Sequence, residues 1–488
     1  MRTSGMESTP LYQQLANHYR EAIESGSLSA GERFASVRML MARHAVSLST
    51  ALQVCRHLEA KGWLEARPRS GYFVCHPRSL RTPQLEEPRA DQPLDAAQYV
   101  GIHARVSAYI ARGQLAPIKV NFSGARAAPE LYPAAALARA TMRALRQQPD
   151  MFGRVAPPAG NLAFRSVLAR RALECGMVLA PEEILVTQGC IEALNFALRA
   201  VTQPGDIVAV ESPTFYGLLQ ILETLGLRAL EIPTSPQTGI SIEACELALR
   251  SESGIKAIVV VPYLQNPLGS IMPDENKARL VELCSQHQVA LVEDDTYSAL
   301  ADVAMQRRAI KSWDRDGSVI HCASLHKILA PGLRLGWMAA GRWQARVEML
   351  KYAQSRNNDT LPQLAAADFM GSAAYDRHLQ RLRARLREQR SRTAEAVARY
   401  FPSGTRMNTP AGGLPLWVEL PRGVSSDALF DAALAENILI SPGLMYSNTM
   451  RYENFVRINC GLPYSDGVDD ALRRLGEIAT LAAKRGKR

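Results

Sequence analysis

Among these 488 residues there is no CxxC pair, no run apolar enough to cross a bilayer, no internal repeat and no low-complexity tract. Each absence narrows what the chain can be. The eight cysteines stand apart, at 55, 75, 175, 190, 245, 284, 322 and 460. That spacing suggests neither a zinc site nor a dithiol redox centre, so free thiols in a reducing compartment are expected. The stretch from Met1 to Glu7 lacks the apolar core of a signal sequence, so a cytoplasmic protein with no membrane partner is expected.

The length exceeds what one core serves, which implies a small and a large domain. The formal net charge is +10, and residues 1–80 carry ten Arg or Lys against six Asp or Glu. An excess of +4 in so short a segment suits a nucleic-acid partner.

Leu11, Leu15, Tyr19, Ala22 and Ile23 recur at helical spacing before Gly26, which predicts a first helix. A second starts near Ser36, a plausible N-cap, with Val37, Leu40, Met41 and His44 on one face. A third follows Ala45-Val-Ser47, with Ala51, Val54, Cys55 and Leu58 as its inner stripe. Two β-prone segments, 62–66 and 71–74, flank the turn 67–71 and read as a hairpin. Three helices and a hairpin make a winged helix-turn-helix, assigned to residues 1–76. The proline- and charge-rich residues 77–98 read as an extended linker.

Residues 99–488 form the second domain. A helix is expected over 99–112. Helical stretches then alternate with apolar strands at 183–187, 207–210, 257–261, 289–292 and 319–320. Strands apolar throughout and separated by helices indicate a mainly parallel α/β sheet covered on both faces. A smaller α+β lobe is placed mainly at 375–488.

In such a sheet ligands bind beyond the carboxyl ends of the strands. The five runs are followed in turn by Gly189-Cys190-Ile191, Pro213-Thr-Phe215, Asn266-Pro-Leu-Gly269, Glu293-Asp-Asp-Thr-Tyr297, and Ser324 with Lys327. Singly these are weak, since a lone lysine is usually a solvated surface group and an Asp-Asp pair usually a helix cap. In this order they fit a pyridoxal phosphate site. Lys327 stands between Ser324 and Arg334, a hydroxyl and a forked guanidinium suited to a phosphate.

The region from about residue 120 to 481 resembles the fold-type I aminotransferases, through TQGCIEAL (187–194), ESPTFYG (211–217), QNPLG (265–269), EDDTY (293–297), SLHKILAPGLRLGW (324–337) and FVRINCGLP (455–463). Residues 10–74 resemble the GntR-type winged helix. Both in this order look like the MocR class of pyridoxal-phosphate-dependent transcription regulators.

The resemblance implies that Lys327 forms the aldimine with pyridoxal phosphate and that Asp294 pairs with the pyridine nitrogen. Asp295 is a rival, since only one of two adjacent acids can point inward; the spacing to Tyr297 favours Asp294. Asn266 and Tyr297 would bond the ring hydroxyl. Ser324, Arg334 and the amides following Gly189, those of Cys190 and Ile191, would hold the phosphate. Phe215 would stack on the ring, or serve as ordinary core. Arg457 would clamp an amino acid's carboxylate, though a structural ion pair is a comparable role for it.

In the winged helix, Arg38, Ser47, Ser49 and Thr50 would meet phosphates and base edges of double-stranded DNA, with Arg67, Arg69 and Gly71 in the wing; the alternative role for Arg38 is only to solvate its helix. Leu48 departs from the GntR pattern, which often has a polar residue there. Phe152 departs from the aminotransferase pattern, which often has a tyrosine reaching the partner subunit's phosphate. A homodimer is implied. The expected function is a transcription regulator that senses pyridoxal phosphate, an amino acid or amine, or both. The alternatives are an aminotransferase with an accessory DNA-binding domain, and a binding module without cofactor.

Overall fold

A computed structural model describes residues 10–24, 27–28, 32–60, 63–67, 70–74, 82–88, 94–302 and 307–485. The chain divides into residues 1–81 and 82–488.

The first unit has helices α1 (Leu11–Glu24), α2 (Val37–His44) and α3 (Leu48–Ala60), then strands β1 (Leu64–Arg67) and β2 (Gly71–Val74). The expected inner stripe of α3 is buried: Ala51, Val54, Cys55 and Leu58 pack with Tyr19, Ile23 and Leu40. Ser36 caps α2 by accepting from the Met39 N–H at 3.3 Å. β1 and β2 pair antiparallel as the expected hairpin. A third strand-like segment, not expected from sequence, lies beside β2, where Phe34 N donates to Tyr72 O and Val74 N to Glu32 O, both at 2.8 Å.

The second unit begins with β3 (Gln98–Tyr99), α4 (His103–Leu115) and β4 (Val120–Asn121). Its further strands are β5 (Leu185–Thr187), β6 (Ile207–Ser212), β7 (Arg228–Ser235), β8 (Gly239–Ile240), β9 (Ile255–Val260), β10 (Ala290–Asp295), β11 (Val319–Ser324) and β12 (Gly336–Ala339). The small lobe adds β13 (Arg406–Met407), β14 (Pro415–Glu419), β15 (Ile438–Leu439), β16 (Ser441–Pro442) and β17 (Phe455–Asn459).

The main sheet runs β3-β7-β6-β9-β10-β11-β12-β5, with β8 paired to β7. β7, β6, β9, β10 and β11 are mutually parallel. β3, β8, β12 and β5 make the antiparallel pairs. All six residues of β6 and of β11 are buried, as sheet faces covered on both sides require. A second sheet, β13-β14-β17-β16, organises the small lobe.

Two expectations change here, and β3, β7, β8 and β12 of the main sheet are not among the strands expected from the sequence. The helix expected over 99–112 begins only at His103, because Gln98 and Tyr99 pair with β7. β4 pairs with β15, which attaches residues 120–121 to the small lobe. The stretch 77–98, expected as an extended linker, is held to the second unit along its described part from Thr82 onward. Met407 N donates to Pro83 O at 3.0 Å and Leu85 N to Asn408 Oδ1 at 3.1 Å. Leu85 is buried in the main core, and Arg451 pairs with Asp95. Two apolar side chains, Leu85 and Leu94, are the physical reason the segment docks.

Candidate functional site

The carboxyl ends of the parallel strands open on one cavity of about 190 Å³. Every expected cofactor residue lines it: Gly189, Cys190, Ile191, Phe215, Asn266, Asp294, Tyr297, Ser324, Lys327 and Arg334. Arg457 also lines it, brought over from β17 of the small lobe.

Gly189 precedes the helix Cys190–Val201 with φ +92°, a backbone that a side chain would strain. A Cβ built there would lie 3.8 Å from Arg334 Nη2 and 3.9 Å from Ser324 Oγ. A cationic donor, a hydroxyl and the first N–H groups of a helix therefore face one small space, the chemistry of a phosphate cradle. Gly336 of β12 packs against this turn; a Cβ on it would stand 2.6 Å from the Gly189 Cα and 2.7 Å from the Ala323 carbonyl oxygen.

The pleat of β10 turns the two adjacent acids to opposite faces of the sheet. Asp294 lines the cavity, where Oδ1 accepts from Thr296 N (3.0 Å), Thr296 Oγ1 (2.6 Å) and Cys190 Sγ (3.2 Å). All three donors fall on Oδ1, which leaves Oδ2 for a ligand. Burial pushes the Asp294 carboxyl up, and its hydrogen bonds oppose that shift. Asp295 points to the opposite face of the sheet. There its Oδ2 stands 3.9 Å from His321 Nε2, and Glu293 lies 3.0 Å from His321 Nδ1. Burial pushes Asp295 up to about 6.

Lys327 Nζ donates to the Ala125 carbonyl at 2.5 Å. Burial, then Arg457 and Arg126, lowers its pKa to about 8. Next to it, burial and the charge of Lys327 bring His326 down to about 4, so that imidazole is neutral near pH 7. Asn266 joins two groups of the site: its Oδ1 accepts from Arg457 Nη1 at 2.9 Å, and its Nδ2 stands 3.5 Å from the Tyr297 hydroxyl. Arg457 is 1% exposed, its Nη2 donates to the Ser123 carbonyl, and its Nε has no partner among the described residues. A buried guanidinium with one donor unpaired suits an incoming carboxylate.

Sequence reasoning missed Ala125, Tyr216, Thr296 and His326, which also line the cavity. Thr296 was legible in principle, because a threonine two residues after an aspartate makes this local bond. Ala125 carries no such signal. Among the described residues no cluster of acids, histidines and cysteines could hold a metal ion.

In the winged helix, Arg38, Ser47, Ser49 and Gly71 are exposed and Thr50 is half-buried. Ser47 acts as a helix cap: its Oγ accepts from the Thr50 N–H at 3.2 Å and lies 2.8 Å from Ser49 Oγ and 2.9 Å from Thr50 Oγ1. Arg67 closes β1 opposite Gly71, and Arg69 lies outside the described residues. Leu48, at the start of α3, is 55% exposed.

Fold and site together define a winged helix joined to an aminotransferase-type domain. The model of aminotransferase class I and II matches residues 125–475, and that of the bacterial regulatory proteins of the gntR family matches 11–74. The chain is 37% identical over 467 residues to the uncharacterized HTH-type transcriptional regulator YjiR of Escherichia coli (strain K12), covering 96% of this chain and 98% of that one. It is 27% identical over 443 residues to the "Probable rhizopine catabolism regulatory protein MocR" of Rhizobium meliloti, covering 89% and 86%. Among solved structures, LysN, the alpha-aminoadipate aminotransferase of Thermus thermophilus complexed with N-(5'-phosphopyridoxyl)-L-leucine, superposes with a TM-score of 0.71 at 27% identity, covering 79% of this chain and 96% of that one. The chain belongs to the MocR class of transcription regulators, with a GntR-type DNA-binding domain and a fold-type I aminotransferase-like domain. Among the described residues no helix is long and apolar enough to cross a membrane.

Proposed function

We propose that this regulator holds pyridoxal phosphate covalently at Lys327 and responds there to an amino acid or amine, changing how its winged helices engage DNA. The observation that supports this reading is the convergence of eleven residues, from four strand ends, the stretch 324–334 that ends a fifth strand, and the small lobe, on one cavity. Ser324, Arg334 and the amides of Cys190 and Ile191 would hold the phosphate. Asp294 would hold the pyridine nitrogen, Asn266 and Tyr297 would bond the ring hydroxyl, and Phe215 would pack on the ring. When bound, the cofactor supplies an electron sink for the ligand's α-carbon.

The protein's own groups prepare that chemistry. A Lys327 amine with pKa about 8 is partly neutral near pH 7 and so nucleophilic. Arg457 orients a carboxylate beside it. Two half-sites on DNA call for two heads, and the reading includes a homodimer. The apolar surface around Phe152 (76% exposed) and Val155 (92% exposed) supports a covering subunit there. A second reading, a working aminotransferase, is favoured by the presence of both Arg457 and Lys327 in one cavity.

The absorption spectrum tests the central claim. Reconstituted protein is expected to show a visible band that Lys327→Ala lacks; no band overturns the reading. An amino acid that changes the band without repeated release of keto acid supports sensing, and steady keto acid supports the enzyme. DNA footprints that stay the same with and without cofactor and amino acid would overturn the regulatory coupling.

A further inference from the structure

Beyond Arg457 the structure holds a second cavity, of about 210 Å³, between α4, β15 and the helix Ser426–Ala435. Three contacts tie it to the carboxylate clamp. The Arg457 guanidinium lies 5.1 Å over the Tyr446 ring. That ring stands 5.8 Å from Tyr216, whose side chain lines both cavities. The Tyr446 hydroxyl lies 2.7 Å from Ser441 Oγ, and Ser441 lines the second cavity together with Ser123, whose carbonyl accepts from Arg457.

Ile110, Ile118, Phe430, Leu439, Ile440 and Met445 form the apolar side of this cavity and uncharged polar groups the rest; among the described residues no acidic or basic side chain lines it. An apolar cavity of about 150 Å³ holds a benzene ring, so the space suffices for an isobutyl or phenyl group. The charges that border the cavity, Asp427 on the Tyr109 hydroxyl and Arg112 over the Phe430 ring, pair with each other, so a carboxylate or ammonium placed there finds no free counter-charge.

We propose that the amino acid held at this site has a large uncharged apolar side chain, of the leucine, methionine or phenylalanine kind, seated in the cavity beside Tyr216. The proposal rests on the cofactor reading above. With its carboxylate on Arg457 and its amino group toward Lys327, such a ligand directs its side chain past Tyr216. Burial of that side chain supplies the selectivity, and acidic and basic amino acids are rejected because their charge stays unpaired.

The test is a titration of the reconstituted dimer with L-leucine, L-phenylalanine, L-glutamate and L-lysine, reading the change of the visible band. Leucine or phenylalanine is expected to act at a concentration about a hundredfold below the two charged amino acids. Ile110→Lys places a cation at a position that is 42% exposed and therefore tolerant. It is expected to weaken the response to leucine and strengthen that to glutamate, while the band itself persists. Equal or better response to glutamate or lysine in the unaltered protein, an unaltered ranking in Ile110→Lys, or a stable band that no amino acid changes each overturns this proposal while leaving the cofactor reading standing. Failure of any band to form overturns the cofactor reading itself.

Discussion

The Cys190 thiol donates to Asp294 Oδ1 across 3.2 Å, so the first residue of the cradle helix also steadies the acid at the far end of the cavity. Cys190→Ala removes one of three donors and leaves the other two, both from Thr296. A hydrogen bond from this weak thiol donor contributes about 1 kcal/mol, so affinity for pyridoxal phosphate is expected to fall about fivefold. Fluorescence titration of the apo form checks this; an unchanged affinity would show that Thr296 suffices.

The two neighbouring acids separate cleanly by experiment. Asp294→Asn is expected to weaken cofactor binding by roughly 10- to 150-fold, the range of a charged hydrogen bond of about 1.5–3 kcal/mol. Asp295→Asn, on the other face of β10, should leave the cofactor spectrum in place and act on stability through His321. Equal loss of binding in both variants would contradict the assignment.

Lys327 gives a pH dependence with a definite sign. Burial and the neighbouring arginines disfavour its ammonium form and bring its pKa to about 8. Below that pH the amine is protonated and unreactive, and above it the neutral nucleophile dominates. The rate of cofactor loading is therefore expected to rise about tenfold per pH unit toward 8 and then level off. Arg457→Met removes a nearby positive charge and should move that break to higher pH, as stopped-flow absorbance would show.

Gly336 faces backbone atoms on two sides, and neither can yield as a side-chain tip would. Gly336→Ala is expected to destabilise the second unit by about 1–3 kcal/mol, the usual penalty of overpacking. It should also loosen phosphate binding, since the strand presses on Gly189. Urea unfolding of apo protein and the cofactor dissociation constant measure the two effects.

Ser47 is a cap before it is a DNA contact. Ser47→Ala removes the acceptor for the Thr50 N–H and is expected to lower the stability of the winged helix by about 0.5–2 kcal/mol. Ser47→Asp retains the cap but adds a negative charge facing DNA phosphate, so stability should hold while affinity for DNA falls. Thermal melting and a binding titration at fixed salt distinguish the two roles.

Residue order was enough to locate five strands of the main sheet, β5, β6, β9, β10 and β11, with the polar group that follows each, the buried stripe of α3 and the Ser36 cap; it did not locate β3, β7, β8 or β12. These are local properties: an apolar run seeks burial, and parallel strands carry their trailing residues to the same edge of the sheet. Which groups meet is settled by long-range packing. Arg457 reaches the cavity because β17 belongs to a second sheet. Ala125 receives Lys327 because β4, just before it, is pinned by β15. Asp294 rather than Asp295 faces inward because the pleat turns successive side chains to opposite faces. The described residues of 82–99 depart from their composition for the same kind of reason: proline and charge predict an extended linker, but Leu85 and Leu94 find apolar surface created by residues far along the chain, and local sequence carries no record of that surface.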